Sequence, residues 1–259
     1  CIRDSVRAAN GVILITTKKG KAGKVSVNYS GNYTIQKAML PNYVDAYNWA
    51  LMKNEVKPGT YLPEDLRKLS DGSDPDHYAN TNWLDEVFRT AGMHQHHLSV
   101  SGGNESTNYM TSISYSNQEG IMRNTGAEKF AFRSNIDSKQ GIFNFGLNIS
   151  GNKNNVDQPA YVSPSGETSV MRYLSWFSRP TVPVKYANGH YGYVDGSLKD
   201  AEMVKNPMQF INEGYRKDET WRFNGKAYAG IDIIDGLQFK TSLSYSFNMN
   251  PVKLSLIHI

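Results

Sequence analysis

The chain has a single cysteine, Cys1, in 259 residues. No internal disulfide is possible, and no cysteine cage for a metal exists. Cys1 reads as an ordinary residue at a cut end, and a lipid anchor there lacks any signal peptide to support it. No apolar run approaches the roughly 20 residues that a membrane helix needs. That excludes helical spans only, because a transmembrane barrel spreads its apolar residues in alternation and hydropathy averages them away. Charge of one sign is scarce as well. The net charge is +4 and the isoelectric point about 8.9. Part of the lysine sits in one short stretch, so this is not the footprint of a nucleic-acid-binding surface. Catalytic arrangements are missing too. GGNES is followed by neither Gly-Lys-Ser/Thr nor a helix, so it is no phosphate loop. No Ser-His-Asp order, zinc motif or paired carboxylates occur at sensible positions, so no enzyme and no cofactor are expected.

What the chain does have is aromatic residues in a polar background. Mean hydropathy is −0.53 and hydrophobic content only 39%, yet aromatics reach 12% and tyrosine alone counts 16. That balance favours β structure. Period-two alternation recurs in seven segments. Val25, Val27, Tyr29, Tyr33 and Ile35 share one face of the first, with Ser26, Asn28, Ser30, Asn32 and Thr34 on the other. The same logic repeats in HHLSVS, NYMTSISYSN, FAFRSNID, IFNFGLNIS, RFNGKAYAGIDI and LQFKTSLSYSFN.

Alternation alone fits a soluble sandwich as well as a barrel. The connections favour the barrel. Those after the second, fourth and sixth segments are short, the last being the Asp235-Gly236 hairpin turn. Those after the first, third and fifth run to about sixty, about a dozen and about seventy residues. Strict alternation of long and short is what an up-and-down transmembrane barrel produces. Within the first long connection, YVDAYNWALMKNEV (Tyr43 to Val56) has helical apolar spacing and is closed by Lys57-Pro58-Gly59. The Asn155 to Arg216 segment reads as a large ordered loop.

Upstream of these strands, GVILITT reads as a buried strand, and KKGKAGK as a basic link to the first alternating one. RAANGVILITTKKGK resembles the end of the plug domain of SusC/RagA-type TonB-dependent outer-membrane transporters. The stretch from Asn80 to Asp137, NTNWLDEVFRTAGMHQHHLSVSGG and onward, is similar to their first barrel hairpins. The resemblance extends to about Asn250. It implies a mainly β chain: the N-terminal part of an antiparallel transmembrane barrel, about 22 strands when complete, with the last strand of a plug. Residues 1–20 would end the plug, 21–24 link it, and 25–253 form seven strands with long outward loops. LSLIHI, 254–259, reads as a non-native tail, a translated adapter. The ends are expected to be cuts, since there is no initiator Met and alternation stops at PVKLSLIHI.

The resemblance also implies a function. The chain would belong to an importer in the outer membrane of a Gram-negative, Bacteroidetes-like cell. It would take up oligosaccharides or peptides with a SusD-like surface lipoprotein and the TonB complex as partners. Two alternatives stand beside it: a passive outer-membrane porin and a soluble secreted glycan-binding β-sandwich. Tyr173, Trp176, Phe177, Tyr186, Tyr191 and Tyr193 lie in the outward loop and are, as a group, the candidate substrate contacts, because aromatic faces stack on sugar rings; for any single one of them a place in the loop's own small core is favoured. His94 and His96 share a strand face at chelating spacing, but an interfacial role is favoured over a metal. Asp71, Asp74 and Asp76 resemble a calcium loop without the EF-hand spacing, so a solvated loop is expected.

Overall fold

Period two in the sequence becomes two chemically distinct faces of one sheet. The computed structural model describes residues 23–159, 169–172, 174, 178–193 and 206–256. Its strands are β1 (Gly23–Gln36), β2 (Ala91–Gly103), β3 (Thr107–Glu119), β4 (Gly126–Gln140), β5 (Phe143–Gln158), β6 (Gly214–Ile234), β7 (Leu237–Met249) and the short β8 (Val252–Leu256). Each of β1 to β7 pairs antiparallel with the next, giving a meander in chain order. All seven expected strands are present in this order. The fold is mainly β, and the sheet is open.

Register carries the alternation across the sheet. One row runs Tyr29, Leu98, Ile113, Phe132, Gly151, Phe223, Phe247, each opposite the next. The adjacent row on the other face runs Asn28, Ser99, Ser112, Arg133, Ser150, Asn224, Ser246. A one-residue slip anywhere would exchange the two faces, so the pattern fixes the register. Gly151 sits in the apolar row because Phe132 lies over it, where any Cβ would collide with that ring. The Phe132 ring then reaches Phe223 two strands away, at 6.4 Å between centroids.

Several strands run further than the alternation predicts. β5 continues to Gln158 and β6 begins at Gly214. In these extensions charged pairs replace apolar ones: Lys153–Glu219 at 2.8 Å and Lys217–Asp157 at 3.7 Å. β3 likewise runs on to Glu119 and β4 begins at Gly126, so the third connection shrinks to residues 120–125, shorter than expected. The eighth strand is the continuation of the seventh. Met249 faces Trp221 and Val252 faces Asp218 in unbroken register along β6. The interruption falls at Pro251, which has no N–H to give the ladder but still accepts from the Glu219 N–H at 3.0 Å. Leu254, Ser255 and Leu256, placed in the expected tail, pair with Arg216, Tyr215 and Gly214. Gly23 and Lys24, expected in the link, open β1. GVILITT lies outside the described residues.

The hydrophobic core is not on the strands. Among the described residues, apart from Ala91 at the start of β2, the buried apolar residues all lie in the long connections, Trp83, Val87, Val170, Val182 and Ile211 among them. The strands instead expose theirs: Val25, Tyr33, Phe239 and Leu243 are 62–76% accessible. A contiguous exposed apolar band of this kind marks an interaction or membrane surface. Among the described residues no second sheet covers it, which a sandwich would require. Among the described residues no helix is long and apolar enough to cross a membrane.

Among the described residues, five helices lie in the connections: α1 (Ala46–Val56), α2 (Pro63–Asp71), α3 (Trp83–Val87), α4 (Ser169–Arg172) and α5 (Pro207–Asn212). The expected helix starts at Ala46 rather than Tyr43 because Asp45 caps it, accepting from the Asn48 N–H at 2.8 Å. It ends before Pro58, where the residue preceding a proline is driven out of the helical region.

Candidate functional site

The three connections on the β1–β2 side of the sheet knit into one cap. Thr81 N–H donates to Pro180 O at 2.8 Å, Thr81 Oγ1 to Val182 O at 2.8 Å, and Trp83 Nε1 to Arg179 O at 2.6 Å. Trp83 and Val87 from the first connection pack with Val170, Val182, Met208 and Ile211 from the last. The short 120–125 loop joins them through Arg123 Nε, which donates to Glu86 O at 2.6 Å, and Asn124 Nδ2, which donates to Ile211 O at 3.1 Å. A second small core lies under α1 and α2, from Ala46, Ala50, Tyr61 and Leu69. Beside it Tyr78 donates to Asp65 at 2.6 Å; that carboxylate pushes the Tyr78 phenol up to about 12.

Of the six aromatic candidates, Tyr186, Tyr191 and Tyr193 are placed together, and Tyr173, Trp176 and Phe177 lie outside the described residues. The three stand on a tight turn. Tyr186 N–H donates to His190 O at 2.9 Å, and Gly189 takes φ of 87°, the left-handed value that glycine tolerates. Tyr186 meets Tyr193 edge-on at 5.8 Å and donates its hydroxyl to Tyr193 O at 2.6 Å. Lys185 covers the Tyr191 ring at 4.6 Å. Together they line a 680 Å³ cavity, with Gln209 and Glu213 opposite. Tyr193 is the most open of them, at 56% accessible. Sequence reading missed Gln209 and Glu213. Their signal was Asn206-Pro207, a cap and first-turn proline that starts α5 and sets both residues one turn apart.

The histidines do lie side by side, with His94 and His96 ring centroids 5.3 Å apart. His96 Nδ1 is instead engaged by the Tyr29 hydroxyl at 2.7 Å, and His94 packs against Tyr115 at 5.7 Å. They sit where the apolar band gives way to polar rows. The row of His96 continues through Tyr115, Phe130, Lys153 and Trp221, and that of His94 through Asn117, Glu128, Asn155 and Glu219.

The three aspartates turn to separate partners. Asp71 meets Arg67 at 2.6 Å, Asp74 meets His77 at 2.9 Å, and Asp76 accepts from Ala187 N–H at 3.0 Å. The bond from His77 holds the Asp74 carboxyl below its ordinary range. Among the described residues no group of three or more acids, histidines or cysteines is arranged to hold a metal.

The polar face of the sheet forms the second surface. Its carboxylates on β4 to β7 are all engaged within the wall. Asp137 accepts from Tyr228, and Asp218 accepts from Arg216 at 2.8 Å and Gln158 at 2.6 Å. Asp232 holds Lys139 at 2.9 Å, Asn144 at 3.0 Å and Gln238 at 2.6 Å. Arg133 and Lys226 line a 400 Å³ groove there with Asn148, Asn224 and Ser246.

Comparison with known proteins accords with this geometry. No protein-family model matches the chain. TonB-dependent receptor P3 of Formosa agariphila is 31% identical over 245 residues, which is 93% of this chain and 23% of that receptor. TonB-dependent receptor SusC of Bacteroides thetaiotaomicron is 35% identical over 132 residues, 50% of this chain and 12% of SusC. The chain thus spans less than a quarter of these curated relatives. Among solved structures, the RagAB peptide importer in its closed-closed state superposes with a TM-score of 0.70 at 21% identity, over 98% of this chain and 31% of the other. That likeness establishes the fold as one wall of a RagA-like barrel. The relatives are receptors and transporters, not enzymes.

Proposed function

The chain belongs to the SusC/RagA family of TonB-dependent receptors, and from that premise we propose that it builds part of the wall and outer cap of a nutrient importer in the outer membrane. The observation that carries this is the inverted distribution of apolar residues, exposed along the strands and buried in the connections. Such a sheet is stable where lipid covers its apolar face. The cap then stands outside, the Asp235-Gly236 turn lies on the periplasmic side, and the polar face looks toward the lumen. Cargo is an oligosaccharide or a peptide, captured with a SusD-like surface lipoprotein and admitted when the TonB complex acts on the plug. Tyr193 and Tyr186, with the other aromatics of their loop, are the contacts for sugar rings or aromatic side chains. Stacking on an exposed tyrosine contributes about 0.5–1.5 kcal/mol, so Tyr193→Ala in the full receptor weakens glycan binding about two- to thirteenfold.

The test is deletion of the complete gene, followed by growth on a panel of glycans and peptides and by outer-membrane fractionation of the tagged protein. The reading expects recovery in the outer-membrane fraction and loss of growth on at least one substrate. Undiminished uptake across the whole panel contradicts it.

A further inference from the structure

The polar wall carries an excess of cations that nothing in the wall neutralises. Asp137, Asp218 and Asp232 are its only acids on β4 to β7 among the described residues, and each already has hydrogen-bond partners in the wall. Lys129, Arg133, Arg222 and Lys226 share that face by register, alternating with Asn, Ser and Thr. None of the four makes an ion pair with a described carboxylate. All four are exposed. On the opposite face the lysines of β5 and β6 are treated differently, since Lys153 and Lys217 each have a carboxylate. The imbalance is therefore specific to the face that looks toward the lumen.

Like charges held on one wall repel, and their field is strengthened where low-dielectric walls confine it. They favour an occupant that brings negative charge. Residues 1–22, which precede β1, do not supply it, as they hold Arg3, Arg7, Lys18, Lys19 and Lys21 against the single acid Asp4. The groove between Arg133 and Lys226 adds neutral hydrogen-bonding groups to the two cations, with Asn148 and Asn224 amides and the Ser246 hydroxyl, which donates to Asn224 at 2.7 Å. Guanidinium and ammonium flanked by amides match a carboxylate on a hydroxyl- or amide-rich backbone.

We propose that this wall selects carboxylate-bearing oligomers, uronate-containing oligosaccharides or acidic peptides, with Arg133 and Lys226 as the groups that read the charge. The proposal rests on the importer reading for the direction the wall faces, but its test does not depend on uptake. Purified full-length receptor is titrated calorimetrically with short oligogalacturonate, oligoglutamate and neutral malto-oligosaccharide, at low and high salt. At least one anionic probe is expected to bind about tenfold or more tightly than the neutral one, a charge-assisted bond being worth about 1.5–3 kcal/mol. The preference shrinks at high salt and is lost in Arg133→Gln/Lys226→Gln. Oligogalacturonate alone names the saccharide source, and oligoglutamate alone the peptide. Equal affinity for the neutral probe, no binding of either anion, or an unchanged preference in the double variant overturns the proposal. So does a double variant that melts earlier yet binds the anions unchanged, for then the cations hold a neighbouring part of the protein. Growth of the deletion strain decides the importer reading separately.

Discussion

Single residues show how the cap is held and how it responds to pH. Trp83 is fully buried, and its indole N–H reaches Arg179 O across the two long connections. Trp83→Ala is expected to cost about 3–5 kcal/mol of cap stability. Limited proteolysis of the surface-exposed receptor reads this as cleavage in the first and last connections, with Trp83→Phe intermediate. The Tyr78 phenol has a folded-state pKa of about 12 against an ordinary 10.0. Its contribution to stability is therefore fully present below about pH 10 and is lost as pH rises toward 12. Asp74 has the opposite sign: its lowered pKa gives stability above the ordinary carboxylate value of 3.8, lost as pH falls below it. Tyr78→Phe lessens the alkaline slope in a pH series of thermal melts and leaves the acid one, the remaining alkaline slope including Tyr43, whose phenol burial also pushes up. A slope unchanged in Tyr78→Phe would show that Tyr78 is not its source. Tyr186, Tyr191 and Tyr193 were legible in the sequence as aromatics of one loop. Gln209 and Glu213 were not, because a two-turn helix leaves no period long enough to detect.

At the scale of elements, the alternation predicted β1 to β7, their order and their faces, because one apolar and one polar face impose period two. It failed where that constraint ends. GYRKDETW and GNKNNVDQ extend β6 and β5 with charged and amide residues on both faces, so pairing persists where apolar alternation has stopped. α2 and α3 were missed for a related reason. Their stability comes from capping, through Pro63 with the Leu62 N–H to Asp65 bond and through Asn82, and from packing into the cap rather than from long periodic stripes. The faces make a direct prediction. Ile113→Lys puts a charge in the lipid-facing row and costs about 2–4 kcal/mol if that row lies near the bilayer midplane. Ser114→Lys, one residue along on the polar face, does not carry that lipid penalty. Refolding yield of the full receptor into vesicles, compared for the two variants, checks this; equal yields would show that β3 has no lipid-facing side.

At the scale of the whole chain, an apolar belt, a row rich in aromatic rings at its edge, charged strand extensions beyond the belt, and a cap that interlocks three connections follow one another along the sheet. Each layer suits a different environment along the membrane normal. The cap and the wall share β5 and β6, so the proposed capture at the aromatic loop and the proposed passage along the polar wall would involve the same two strands. The most direct measurement is oxygen accessibility of spin labels placed singly from Thr107 to Glu119 along β3 in the full-length receptor reconstituted in bilayers. The account predicts a period of two, with oxygen, which concentrates in lipid, reaching labels at Tyr109, Thr111 and Ile113 and largely missing those at Ser112 and Ser114. Uniform accessibility along β3, or alternation of the opposite phase, would contradict it.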